Sequence, residues 1–218
     1  MTESAETAEK TISGYIASPG NDYIRWFEEL SRSDVPIAGG KGANLGELTR
    51  AGVSVPPGFV VTAKAFTEFL EVTGLKGTIR DRSASINVDD ANELELASQE
   101  LRASVLSAEI PMAIKDSIKA SYDRLTDIVG ESDLFVAVRS SATAEDTAET
   151  SFAGMNETFL NVKGADCVVE SVKKCWASLY GSRVLFYINK QNVRPERLSI
   201  AVIVQAMVDA DRAGVMFT

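Results

Sequence analysis

The chain has 218 residues, 45% of them hydrophobic and 24% charged, with a formal net charge of -9. This length and composition suit one globular domain, or two small lobes, with a core that needs no disulfide staples. The acidic balance excludes generic nucleic-acid binding, since a polyphosphate backbone needs a basic face, but leaves room for one small anion in a local basic pocket.

Residues 1–21 are rich in Thr, Ser, Ala and Glu, lack periodicity, and read as a mobile tail. Their polar start lacks the apolar stretch of a signal peptide. No apolar run reaches the ~20 residues of a membrane span, so a cytoplasmic protein with no membrane partner is expected. Residues 23–27 predict a strand. A glycine-rich turn at 39–42 leads into a short helix with Leu45 and Leu48 on one face, which Gly52 ends. Pro56-Pro57-Gly58 is a rigid turn into a strand at 59–62. Helices follow at 63–73, stopped by Gly74, at 91–106 and at 113–129. The continuous apolar run at 135–138 predicts a buried strand. A polar loop at 140–150 separates it from a strand at 157–162.

Val168, Val172, Cys175, Trp176 and Leu179 keep a helical period, and the helix continues or restarts through Leu185 and Ile188. Cys167 and Cys175 lie eight residues apart in it. The helical rise alone separates them by roughly 12 Å, which excludes a disulfide. Both are expected to be buried, reduced thiols. Strands at 198–204 and from 215 complete the order, a mixed α/β arrangement with helices between strands.

The chain contains no histidine. A Ser-His-Asp triad, a His-ligated zinc and a phosphohistidine are therefore impossible within it. Four stretches carry other chemistry. The first is Gly39-Gly40-Lys41-Gly42-Ala43-Asn44-Leu45-Gly46, where glycines permit close backbone approach, a helix start offers N–H groups, and Lys41 adds a cation. It suits a phosphate, and it equally suits a tight turn with a solvated lysine. Gly42 stands where a P-loop requires Ser or Thr, and Leu45 occupies the third glycine position of a dinucleotide fingerprint.

The second stretch is Val138-Arg139-Ser140-Ser141-Ala142-Thr143. Arg139 leaves a buried strand where the chain turns polar, either to clamp phosphate oxygens or to satisfy loop carbonyls. The third runs over 151–158, after an acidic loop with Glu145, Asp146 and Glu149. Its small residues suit a lid over phosphates, and Glu145 and Asp146 either hold Mg2+ or are solvated. The fourth, Val204-Gln205-Ala206-Met207-Val208, is either an adenine-lining strand end or ordinary sheet core.

Together these stretches resemble the N-terminal ATP-binding domain shared by phosphoenolpyruvate synthase, pyruvate phosphate dikinase and rifampicin phosphotransferase. The resemblance covers about 23–218. It rests on Gly-Gly-Lys-Gly-Ala-Asn-Leu-Gly at 39–46, Val-Pro-Pro-Gly-Phe at 55–59, Val-Arg-Ser-Ser-Ala-Thr-Ala-Glu-Asp at 138–146, Ser-Phe-Ala-Gly at 151–154, Cys-Trp-Ala-Ser-Leu at 175–179 and Gly-Val-Met-Phe-Thr at 214–218. The wording at 157–162 looks most like the synthase.

The resemblance implies a partial ATP-grasp-type domain over 22–218, with a mixed sheet and flanking helices. It implies Lys41 and Arg139 as catalytic phosphate ligands. Gly154 and Thr158 would form the loop over the phosphates, and Gln205, Met207 and Val208 the segment beside adenine. It implies ATP with Mg2+, the metal ligands lying outside this chain. The phosphoryl acceptor would be a histidine on a separate domain and then pyruvate, with an antibiotic or phosphate as alternatives. A stand-alone nucleotide-binding module without catalysis is the non-enzymatic alternative. The family's domain continues past Gly-Val-Met-Phe-Thr, so a truncated edge prone to self-association is expected.

Overall fold

Strand residues alternate between two apolar clusters, so one sheet separates two cores. The computed structural model describes residues 22–143, 157–191, 193, 195 and 198–214. The expected tail over 1–21, most of the acidic loop, Gly154 in the stretch after it, and the expected strand from 215 lie outside the described residues. The strands are β1 (Ile24–Trp26), β2 (Gly58–Val61), β3 (Phe135–Ala142), β4 (Thr158–Lys163) and β5 (Ile200–Ala206), in the order β1-β2-β5-β3-β4. Every pairing among them is antiparallel. The expected mixed sheet is corrected accordingly. The helical crossover does return the chain in the same direction, so β2 and β3 run parallel. But β5 inserts between them and opposes both.

The helices are α1 (Val35–Arg50), α2 (Ala63–Val72), α3 (Leu75–Ala84), α4 (Ala91–Ser107), α5 (Met112–Val129), α6 (Ala165–Ser178) and α7 (Ser182–Lys190). Helices α2 to α7 share the larger cluster with Phe59, Val61, Val136, Val138, Val202 and Val204 of the sheet. Trp176 of α6 anchors this core, its ring stacked on Phe69 at 4.9 Å and tilted against Phe66 at 5.7 Å. The opposite face carries the smaller cluster, Phe27, Leu30, Ala38, Val60, Ala201 and Ile203, under α1.

Local signals set the helix ends. The Asp90 carboxylate accepts the N–H groups of Asn92 and Glu93 and caps α4. Gly130, at φ 79°, turns the chain out of α5.

Three local expectations change. Helix α3 is absent from the sequence reading because its inward residues are only Leu75, Ile79 and Ser83, with Gly77 and charged residues between. In α1 the inward residues are Gly42, Ala43 and Gly46, whereas Leu48 is 45% exposed. Of the two expected leucines, Leu45 packs half-buried against the smaller cluster and only Leu48 turns to solvent. At Gly46 the helix leaves no room for a side chain: a methyl there would lie 2.5 Å from Leu30 Cβ. Cys167 is exposed on the outer side of α6 and only Cys175 is buried. Burial pushes the Cys175 thiol well above its ordinary pKa.

Two outcomes follow from this packing. Gly46→Ala should lower stability by about 1–3 kcal/mol through overpacking. Gly77→Ala, whose added methyl meets nothing within 4 Å, should raise it by roughly 0.5–1 kcal/mol. Denaturant midpoints decide both. A thiol reagent should modify Cys167 in the folded protein and Cys175 only after unfolding. Fast modification of both would place Cys175 outside the core.

Candidate functional site

Gly39 breaks α1 in two. Its φ of 68° and ψ of 167° are non-helical, a conformation that glycine adopts without steric cost. There is also no room for a side chain, since a methyl there would lie 2.2 Å from Ser141 Oγ and 2.5 Å from Ser141 O. A methyl on Gly42 would lie 3.2 Å from Val60 Cγ2. The Gly42 N–H donates to Ser141 Oγ at 3.4 Å, as suits an amide in the first turn of the second helical segment. The glycines thus seat α1 directly on β2 and β3. Lys41 is half-buried in that first turn.

The register then aligns Val60, Ile203, Arg139 and Thr158 in one row across four strands. Opposed residues share a face of the sheet. Val60 and Ile203 pack under α1, so Arg139 and Thr158 stand on the α1 face. Ser141, which meets Gly39, lies on that face two residues beyond Arg139, about 7 Å along the strand. The elements bearing Lys41 and Arg139 are therefore neighbours.

The expectation that Arg139 leaves the end of a strand is corrected. It lies inside β3, half-buried, and the strand runs on through Ala142. Ser140 and Ser141 extend it because each finds a partner, Ser140 with Glu157 and Ser141 with Gly42.

The next row holds Gly58, Gln205 and Ala137. The Gln205 amide donates through Nε2 to the Pro56 carbonyl at 3.1 Å. A carbonyl only accepts, so this bond fixes the amide with Oε1 turned the other way. It also ties the Pro-Pro turn to β5. Gly58 is required there because a methyl would lie 2.7 Å from Phe27 Cζ.

Met207 prolongs the pairing by donating its N–H to Phe135 O at 2.9 Å. Its Sδ accepts the Asn161 N–H at 3.2 Å. Asn161 has φ 56° and sits where β4 carries one extra residue against β3, a bulge. Val208 is 64% exposed, and Phe135 and Leu160 are 47% and 60% exposed.

Phe135, with Lys163 Nζ over its ring at 5.5 Å, Leu160 and the half-buried Met207 side chain thus form a partly exposed apolar strip beside the row of Arg139 and Thr158. Sequence reasoning missed Phe135 and Leu160. The signal was the alternation Phe135, Ala137, Arg139, Ser141, hidden because the run at 135–138 looks buried on both faces.

Cationic and hydroxyl groups at one end and apolar side chains at the other suit a flat, apolar group that carries an anion. Among the described residues no cluster of three or more His, Cys, Asp or Glu side chains could hold a metal ion. Glu145, Asp146 and Gly154 lie outside the described residues.

The family model for the pyruvate phosphate dikinase AMP/ATP-binding domain matches residues 35–218. A probable phosphoenolpyruvate synthase of Methanothermobacter thermautotrophicus is 49% identical over 207 residues, covering 94% of this chain and 30% of that protein. One from Methanocaldococcus jannaschii is 47% identical over 196 residues, 90% of this chain and 16% of the relative. The phosphoenolpyruvate synthase of Pyrococcus furiosus is 42% identical over 228 aligned residues, 90% of this chain and 28% of its own. The chain therefore spans 16–30% of the length of these relatives.

Gly39 lies within the matched segment, and its contact with Ser141 is testable. Gly39→Ala combines an unfavourable φ with a backbone clash and should cost about 2–4 kcal/mol. A denaturation midpoint equal to that of the parent would mean that α1 is not seated on β3 as described.

Proposed function

Since the chain belongs to the pyruvate phosphate dikinase AMP/ATP-binding domain family, we propose that it binds ATP on the sheet face beside α1, as the nucleotide-binding part of a phosphoenolpyruvate synthase-like phosphotransferase. The observation that carries this reading is the juxtaposition of Lys41 in the seated first turn of α1, the row of Arg139 and Thr158, and the partly exposed apolar strip beyond it. In this reading Lys41 and Arg139 grip the phosphates and Thr158 offers its hydroxyl to them. Gln205, Met207 and Val208 flank the adenine, and Gly154 belongs to the loop over the phosphates. The fold is of the ATP-grasp type, and Mg2+ takes its ligands from outside this chain.

The chain's contribution is electrostatic. Fixed cations and dipoles offset charge on the phosphates and hold them in line for transfer, and no covalent bond to the chain forms. Because the chain has no histidine, the phosphoryl-accepting histidine belongs to a separate domain, from which the group passes to pyruvate. The names of the relatives favour pyruvate over an antibiotic as the final acceptor. A cytoplasmic enzyme fits this chemistry, since ATP and pyruvate are cytoplasmic metabolites.

Titration of the chain with ATP and with adenosine, with and without Mg2+, tests the reading. ATP should bind more tightly than adenosine, without release of ADP or AMP. Lys41→Met or Arg139→Met should weaken ATP about 10-fold to 100-fold, the loss of a charge-assisted hydrogen bond. Adenosine affinity should stay unchanged. A variant that holds ATP as well as the parent removes that residue from the phosphate site.

A further inference from the structure

The pairing of β3 with β4 does not close by backbone alone. Ser140 N–H donates to Glu157 O at 3.0 Å. In a regular antiparallel pair the Glu157 N–H would return a bond to the Ser140 carbonyl. Instead it donates to the Ser140 hydroxyl at 2.9 Å, and that hydroxyl lies 3.2 Å from Glu157 O. A side chain thus takes the place of a carbonyl at the start of β4. Ser140 is 1% exposed, and it opposes Val202, so it faces the helical layer. From that layer Arg102 of α4 reaches the Glu157 carboxylate, Nη2 to Oε1, at 3.2 Å.

These three residues connect α4 through the sheet to its far face. Ser140 directly follows Arg139, and Glu157 directly precedes Thr158, the pair that oppose one another in the register. A strand at the sheet edge has neighbours on one side only, so its position at this end depends on such ties. Polar partners that hold the neighbours of a binding residue fix its geometry without touching the ligand.

We propose that Arg102, Glu157 and Ser140 are positioning residues: they lock β4 against β3 at the Arg139–Thr158 pair and so set the spacing with which the phosphates of ATP are gripped. The assignment rests on the ATP-binding reading above. A merely structural ion pair of this exposure would contribute little and would affect all ligands alike.

The test uses the whole chain with Arg102→Leu, Arg102→Lys and Ser140→Ala. It is read by amide hydrogen exchange at residues 140 and 157, and by binding of ATP and of adenosine. Arg102→Leu and Ser140→Ala should speed exchange at both amides. They should raise the Kd for ATP roughly threefold to tenfold while adenosine stays within about twofold. Arg102→Lys should restore most of the ATP affinity. High salt should erase the difference between Arg102→Leu and the parent but not that of Ser140→Ala.

Unchanged exchange in both variants overturns the lock. Faster exchange with an unchanged Kd for ATP overturns the positioning role. A parent chain that binds neither ligand overturns the ATP-binding reading itself and this assignment with it, and that outcome appears before any variant is compared.

Discussion

The contact between the glycine face of α1 and the sheet is the constraint on which the rest depends. Side chains normally hold a helix 8–10 Å from what it packs against. Here Gly39 and Gly42 face β3 and β2, and Gly46 faces Leu30, so the helix backbone itself meets its neighbours. Ser141 fits beneath Gly39 because its side chain is small and can accept the Gly42 N–H. Phe27 and Leu30, from the short turns before α1, close the remaining gap. The small apolar cluster under α1 gains its stability from this closeness rather than from its size.

The two faces of the sheet divide the work. The helical layer buries the large side chains, with Trp176, Tyr180, Phe66 and Phe69 almost wholly enclosed. Aromatic pairs there add about 0.5–1.5 kcal/mol each beyond their buried area. That layer stiffens the strands from behind. On the other face α1 covers β2, β5 and the end of β3, and over the β3–β4 end Phe135 and Leu160 stand exposed among the described residues. A contiguous apolar strip next to cations on a rigid support is a familiar form of binding surface.

Much of this was legible in residue order. The helix ends at Gly52 and Gly74 follow from glycine's access to positive φ. The glycine-rich start of α1, with Lys41, and the arginine in β3 stand out as chemistry before any fold is known. Other features were hidden for physical reasons. Helix α3 has too thin an apolar stripe to announce itself. Ser140 and Ser141 look like the start of a loop, because nothing local tells that each has a partner 17 or 99 residues away. The place of β5 between β2 and β3 depends on pairing between distant segments, which periodicity does not encode. That Leu45 packs inward while Leu48 is exposed depends on which glycines face the sheet, which an apolar pattern alone does not reveal.

The bulge in β4 has a consequence for side-chain parity. Phe159 and Val162 lie an odd number of residues apart, yet both turn toward the helical core. A strict two-residue alternation would put one of them in water. The left-handed backbone of Asn161 absorbs the surplus residue, so the strand, having paired Thr158 with Arg139, is back in phase when Val162 meets Val136. Asparagine is among the few residues other than glycine that accept such a backbone cheaply. The chemical identity of one edge residue therefore keeps the two halves of β4 in step, and it decides on which side of the sheet the Thr158 hydroxyl emerges.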